Sequence, residues 1–452
     1  MSAGLVVDLF AGGGGASTGI FWALDRHPDV ALNHSYDALR NHALNHPTTR
    51  HVVDDIRKAV PLLVTRGAPV DVLWASPDCR HFSRAKGGKP CHPKTRSLPW
   101  EIVEWARQTS PRLIAMENVR EMQGWGPLNA EHSNGCQGDG ELDMDHESFV
   151  AALDRCAKGC TFARPIPELA GSTWREWIAA LGGAGYVVRW WVLKACDYGS
   201  PTTRERLFIV CRRDGVEPVK PEPTHGPGRP LPYRTAAECI DWGDLGRSIF
   251  GADGNTRHAA ATLRRVAAGV VRFVVQAARR PFLADARNGE RAGQGALVSA
   301  FIAKHYTDVV GHPPTRPLGT ITTKDHHGLV VVDLEPRAAG EAVDRVAAFV
   351  STYYGQSVGR AADEPLGTIT TKERHALVTV TIDGESYAIV DIRMRMLKPS
   401  ELKLAQGFPA SYRLDGSAKL QTKLIGNSVP PQLAAAVVRA NTVTAPRGER
   451  AA

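Results

Sequence analysis

No run of about 18 apolar residues occurs in this 452-residue chain, so there is no candidate for a membrane-spanning helix. No basic segment leading into a short apolar core opens it, so no export leader is expected. Cysteine is scarce: eight in the whole chain, too few for a disulfide scaffold of this length. Acidic residues are the minority, 47 against 55 Lys and Arg, and the formal charge of +8 favours an anionic partner. What remains is an ordinary globular composition, 43% hydrophobic and 23% charged, long enough for two or three domains. The expectation is a soluble, reduced, cytoplasmic protein.

The first half alternates short apolar runs with helical patterns. Leu5 to Phe10, Val30 to Leu32, Val70 to Ala75 and Leu113 to Glu117 read as strands, and Ala16 to Leu24 and Glu101 to Gln108 as helices. That alternation predicts an α/β fold with a doubly wound, mostly parallel sheet, continued by Val187 to Ala195 and Arg206 to Cys211. A polar insertion at about 124–171 carries Cys136, Cys156 and Cys160. Their spacing is a weak zinc signal, and no metal is expected. After Arg213 a Pro- and Gly-rich stretch signals a boundary. Beyond it, residues 301–332 and 349–380 form a two-copy repeat sharing "PLGTITTK", read as two similar β-loop units. In a strand, Thr320, Thr322 and Lys324 would share one face while Ile321 anchors the core. The alternative is a duplication with no binding role.

Three strand ends carry chemistry. "DLFAGGGGAS" closes the first strand with Gly12 to Gly15, which let a backbone approach a ligand or simply make a tight turn. A dinucleotide fingerprint would need glycine at Ser17 or Thr18, so a cofactor without a phosphate cradle fits better. "SPDC" puts Cys79 after the strand ending at Ala75, followed by the basic loop Arg80, Arg84, Lys86 and Lys89. A lone cysteine is more often a small buried hydrophobe. Here, however, "IAMENV" puts Glu117 at the next strand end, and ligands in open α/β sheets sit at the carboxyl ends of strands. A thiol beside a carboxyl group there is a nucleophile-and-acid pair.

In order, these motifs resemble those of the DNA (cytosine-5) methyltransferases. "GSPTTRERLFIV" is similar to the family's Arg-x-Arg motif, and "RMLKPSELKLAQGFP" and "GNSVPP" to its last two. The resemblance implies a Rossmann-like, class I S-adenosylmethionine-dependent catalytic domain over 1–213. A smaller β-rich target-recognition domain would cover 214–393, a returning segment 394–440, and a disordered tail 441–452. Catalysis would fall to Cys79, Glu117, Arg204 and Arg206. The cofactor S-adenosylmethionine would be held by Phe10, Ala11, Gly12, Gly14, Gly15, Asn33, Asp54, Asp55, Pro77, Asn427 and Ser428. Double-stranded DNA would meet Arg80, Ser83, Arg84, Lys86 and Lys89, and in the repeat Thr322, Thr323, Lys324, Thr370, Thr371 and Lys372. The target cytosine would be flipped out of the duplex.

Asp78, Asn33 and Thr202 depart from the commoner family pattern. The combination is similar to that of a phage-like and actinobacterial branch. A carboxylate beside a thiol raises the thiol pKa unless it points away or pairs with Arg80. The implied enzyme is a monomer, with a cognate restriction endonuclease acting in the same system but not in a stable complex. The alternatives are an RNA cytosine methyltransferase of similar fold, which the long repeat-bearing insert disfavours, and a non-catalytic DNA-binding relative. A dinucleotide oxidoreductase is more distant.

Overall fold

The computed structural model describes residues 4–82, 93–131, 162–251, 258–277, 281–284, 297–305, 310–324, 326–336, 346, 379–382 and 385–442. The chain divides into two compact units. The first comprises Met1–Pro232, Gly407–Gly416 and Asn427–Ala452; the second, Tyr233–Gln406 and Ser417–Gly426.

The first unit is built on β1 (Leu5–Leu9), β2 (Val30–Asn33), β3 (Arg50–Val53), β4 (Val70–Ala75) and β5 (Leu113–Asn118), all parallel. A small pair, β6 (Leu128–Glu131) and β7 (Phe162–Pro165), lies off this sheet. Then β8 (Val187–Lys194) and β9 (Glu205–Arg212) add an antiparallel hairpin, giving the order β3-β2-β1-β4-β5-β9-β8. Every residue of β5 is buried, as a strand covered on both faces requires. Alternate side chains serve opposite layers. Leu9, Leu73, Ile114 and Ile209 pack with Ile102, Trp105 and Trp177. Val72, Trp74, Ala115 and Phe208 face Ile20, Leu433 and Val437. On the latter face, helices Gly15–Leu24 and Pro431–Thr442 approach so closely that a Cβ at Gly19 would lie 2.4 Å from the Pro431 carbonyl oxygen. The winding direction reverses between β1 and β4, where an open α/β sheet leaves a crevice at its carboxyl edge.

The second unit is an antiparallel sheet of order β10-β16-β14-β12-β11. Its strands are β10 (Arg247–Ser248), β11 (Leu283–Ala284), β12 (Leu297–Lys304), β14 (His327–Pro336) and β16 (Glu385–Met396). β13 (Gly311–His312) pairs with β12, and β15 (Thr379–Ile382) with β16. Helix Ala260–Val270 buries Leu263, Val266 and Val270 against Phe301, Val330 and Ile392.

Here the structure corrects one expectation. Thr320–Lys324 is not a strand, although Ile321 is fully buried as expected. The Thr322 hydroxyl donates to the Lys324 carbonyl at 2.5 Å, a local bond that competes with ladder pairing. The Thr322 carbonyl also presses on the helix Ala418–Asn427, where a Cβ at Gly426 would lie 2.3 Å from its oxygen. Thr323 and Lys324 remain exposed. Of the second repeat copy only Thr379 and Val380 lie among the described residues, so Thr370, Thr371 and Lys372 fall outside them.

Candidate active site

β4 ends at Ala75 and passes into Ser76-Pro77-Asp78-Cys79. Asn118, at the tip of β5 and fully buried, ties this loop down. Its Nδ2 donates to the Pro77 carbonyl at 3.3 Å, while its Oδ1 accepts from Val119 N–H at 2.8 Å. Glu117, one residue earlier and also buried, pairs with Phe208 across the ladder. Because β9 runs antiparallel to β5, its first residues lie at the carboxyl ends of the parallel strands. Arg206 consequently reaches Glu117, with Nε 3.0 Å from Oε1, although the Nε–H is not aligned for a hydrogen bond. Arg204, just ahead of β9, is buried beside the same cluster.

The electrostatics of this group are mutual. Burial raises the Cys79 thiol above its ordinary range; Arg206 and Arg204 pull it down, while Glu117 and Asp78 push it further up. Burial and the neighbouring Arg206 push Arg204 down to about 9, opposed by Glu117 and Cys79, which leaves it a cation at neutral pH. Asp78 does pair with Arg80: Arg80 N–H donates to Oδ1 at 2.8 Å and Nε to Oδ2 at 2.7 Å. Burial raises Asp78, but these bonds outweigh it and its carboxyl lies below the usual range. Arg80 is exposed and spends its guanidinium on Asp78. Ser83, Arg84, Lys86 and Lys89 lie outside the described residues.

The glycine turn follows β1 at the same edge. Phe10 adopts a left-handed φ of 59°, an uncommon conformation outside glycine and of the kind found at ligand turns. A Cβ at Gly12 would meet nothing within 4 Å, so that residue borders open space. Gly14 and Gly15 have a different reason to be glycine. A Cβ at Gly14 would lie 1.9 Å from the Tyr412 hydroxyl, and one at Gly15 2.1 Å from the Val429 carbonyl oxygen. Ser428 is buried against Gly15, whereas Asn427 is exposed. Ala11 N–H donates to the Leu32 carbonyl at 3.0 Å, and Asn33 Nδ2 to the Ala11 carbonyl at 2.8 Å. With Asn33 Oδ1 taken by Ser35 N–H at 2.8 Å, the amide keeps one hydrogen to offer a ligand. Asp54 N–H donates to the Asn33 carbonyl at 3.1 Å, while Asp55 is engaged by Arg57 at 2.6 Å.

Sequence reasoning missed a polar network behind this turn. Ser17 Oγ donates to Asp8 at 2.6 Å, His42 Nε2 lies 2.8 Å from Ser17 Oγ, and His42 Nδ1 2.8 Å from His51 Nε2. His27 and His46 are joined through their Nδ1 atoms at 2.9 Å. Burial is the main cause in every case: it raises Asp8 to about 7, lowers His46 to about 3 and His42 well below the usual value, and lowers His27 and His51. The signal available was the i, i+4 spacing of His42 and His46, with His51 entering β3. Among the described residues, no group of His, Cys, Asp and Glu could hold a metal ion, and no helix is long and apolar enough to cross a membrane.

A family model described as C-5 cytosine-specific DNA methylase matches residues 5–126, 168–238 and 321–442. The chain is 28% identical over 251 residues to the Type II methyltransferase M.AquIA of a Picosynechococcus species, covering 52% of this chain and 87% of that protein. It is 26% identical over 239 residues to the Type II methyltransferase M1.HphI of Haemophilus parahaemolyticus, covering 52% of this chain and 51% of that one. Among solved structures, a DNMT2 mutant of Spodoptera frugiperda superposes with a TM-score of 0.50 at 16% identity. That match covers 97% of this chain and 99% of the other, a likeness of fold alone.

Proposed function

This chain belongs to the C-5 cytosine-specific DNA methylase family, the DNA cytosine-5 methyltransferases, and on that premise we propose that Cys79 is the nucleophile of a covalent route. The observation that carries the reading is the meeting at one sheet edge of Cys79, Glu117 and the Arg204–Arg206 pair, which come from three separate stretches of the chain.

Cytosine C5 is too weakly nucleophilic to accept a methyl group unaided. The Cys79 thiolate adds to C6 of a flipped-out cytosine, forming an S–C bond and sending an electron pair through the ring to N3. Glu117 holds the proton at N3, and the ring becomes an enamine whose C5 is nucleophilic. Arg206 and Arg204 supply two cations in a buried setting, favouring thiolate over thiol and stabilising charge at the base oxygen. Arg80 holds the Asp78 charge, which limits how far that carboxylate opposes ionisation of its neighbour. After methylation, the C5 proton leaves to solvent, the S–C6 bond breaks with its electron pair returning to the Cys79 thiolate, and the N3 proton goes back to Glu117, which restores the aromatic ring.

The residues at the glycine turn suit the cofactor. The turn is open beside Gly12 and closed behind Gly14 and Gly15, so a ligand has one face on which to lie. S-adenosylmethionine, when bound there, supplies the methyl group as a sulfonium electrophile. Phe10, Ala11, Gly12 and Asn33 would line it, with Asp54, Asp55, Pro77 and Ser428 close by. Double-stranded DNA is the substrate, and recognition of its sequence falls to the second unit. Action as a monomer beside a cognate restriction endonuclease, in the cytoplasm, completes the reading. The Type II methyltransferase names of the relatives support the methyltransferase part of this reading.

DNA carrying 5-fluorocytosine tests the mechanism, because C5 then has no proton to lose. Wild-type enzyme with S-adenosylmethionine should form an adduct that survives a denaturing gel, and Cys79→Ser should form none. Absence of the wild-type adduct under turnover conditions rejects the covalent route.

A further inference from the structure

We infer that Tyr412 is a positioning residue that sets the glycine turn in the conformation its ligand requires. The inference rests on the reading that S-adenosylmethionine binds at that turn. It adds that a residue about four hundred positions away presets the turn before the cofactor arrives.

Tyr412 is 5% exposed, and its hydroxyl donates to the Gly13 carbonyl at 2.7 Å. Because the peptide unit is planar, fixing that carbonyl also fixes the Gly14 N–H, which points to the opposite side. The next peptide is held as well. Thr18 donates to the Gly14 carbonyl twice, through Oγ1 at 2.8 Å and its own N–H at 2.9 Å. His46 Nε2 stands behind both, 3.5 Å from the Tyr412 hydroxyl and 3.5 Å from Thr18 Oγ1. Gly14, with φ of 89°, leaves the space into which the phenol fits.

Tyr412 is itself held. Asn45 grips the backbone of Arg413 from both sides, Nδ2 donating to its carbonyl at 2.8 Å and Oδ1 accepting its N–H at 2.8 Å. Asn41 Oδ1 accepts from Asp415 N–H at 2.6 Å, and the Phe408 ring lies 4.5 Å from that of Tyr412. An aromatic ring alone would fill this space. A hydroxyl at its tip is needed for the Gly13 carbonyl, so the oxygen is the part that acts on the turn. A buried carbonyl left without that donor would be free to rotate towards water or towards the ligand side.

Tyr412→Phe removes the hydroxyl and keeps the ring. Titration calorimetry with S-adenosylmethionine should show Kd raised about 5- to 10-fold, the worth of one buried hydrogen bond. At saturating cofactor, kcat should stay within about twofold and KM for DNA should not move. In the cofactor-free enzyme, amide exchange in the peptide covering residues 10–18 should quicken. Asn45→Ala, which loosens the seat but keeps the hydroxyl, should move Kd in the same direction by a smaller factor. A Tyr412→Phe protein that melts earlier yet binds with unchanged Kd and unchanged exchange reduces Tyr412 to a core residue and overturns the inference. Gly12→Val separates this from the reading beneath it. It fills the open side of the turn, where a Cβ meets nothing within 4 Å. Normal cofactor binding by Gly12→Val would reject the turn as the site, whatever Tyr412 does.

Discussion

Mild acid should destabilise the first unit through the buried histidines, and the loss can be worked out. His42 and His46 are held neutral by burial, His46 with a folded pKa of about 3 against 6.5 unfolded. Below pH 6.5 the unfolded chain therefore binds protons that the folded one refuses, and stability falls as pH falls. Between pH 7 and 5 His46 removes about 2 kcal/mol, at about 1.4 kcal/mol per proton per pH unit, and His42 acts in the same direction. Asp8 works the other way. Its folded pKa of about 7 lies above the model-peptide 3.8, so below pH 7 the folded state keeps a proton that the unfolded chain releases. That contributes about 2 kcal/mol of stability over the same interval, gained as pH falls and exhausted below about 4. Asp8 therefore offsets about one histidine, and the net loss comes from His42, with the lowered His27 and His51 in the same direction. Asp8→Asn should remove that compensation and deepen the loss by about 2 kcal/mol. Urea unfolding of the full chain at pH 7, 6 and 5, followed by tryptophan fluorescence, measures it. Glu101, also raised to about 7 by burial, offsets the histidines in both proteins, so the comparison decides: an Asp8→Asn protein whose loss between pH 7 and 5 is no larger than the wild type's refutes the reasoning.

Glu117→Gln should slow methyl transfer by about 10²–10⁴-fold, the usual worth of general acid assistance, with DNA affinity far less affected. Equal losses in single-turnover rate and in DNA binding would make Glu117 a structural residue instead. Gly15→Ala should cost about 1–3 kcal/mol in thermal or urea unfolding, because its methyl group would lie 2.1 Å from the Val429 carbonyl oxygen. A neutral result there would mean that helices Gly15–Leu24 and Pro431–Thr442 can separate freely. Lys324→Ala, altering an exposed cation of the repeat, should weaken binding to cognate and scrambled duplexes alike and reduce the salt slope by about one. An unchanged slope would remove Lys324 from the DNA contacts.

Much of the first unit was legible because parallel strands buried on both faces leave unbroken apolar runs. Val70 to Ala75 appears with the ends expected, and Leu113 to Glu117 gains only Asn118. The glycine turn and the cysteine after β4 were legible for the same reason: where such runs stop, the chain is at the sheet edge. The repeat misled, since Thr-Ile-Thr-Thr suits a strand by propensity, yet a hydroxyl bonding two residues along its own backbone won locally. Other features depended on distance. That Arg206 meets Glu117 follows from β9 running antiparallel to β5, a pairing that no local pattern encodes. Gly14 and Gly15 looked like ligand glycines; Tyr412 and Val429, brought there by the tertiary fold, are what forbid them a side chain. The histidines show the same division. Their spacing was visible in the chain, but their neutrality comes from burial, which only packing against Asp8, Ser17 and one another could supply.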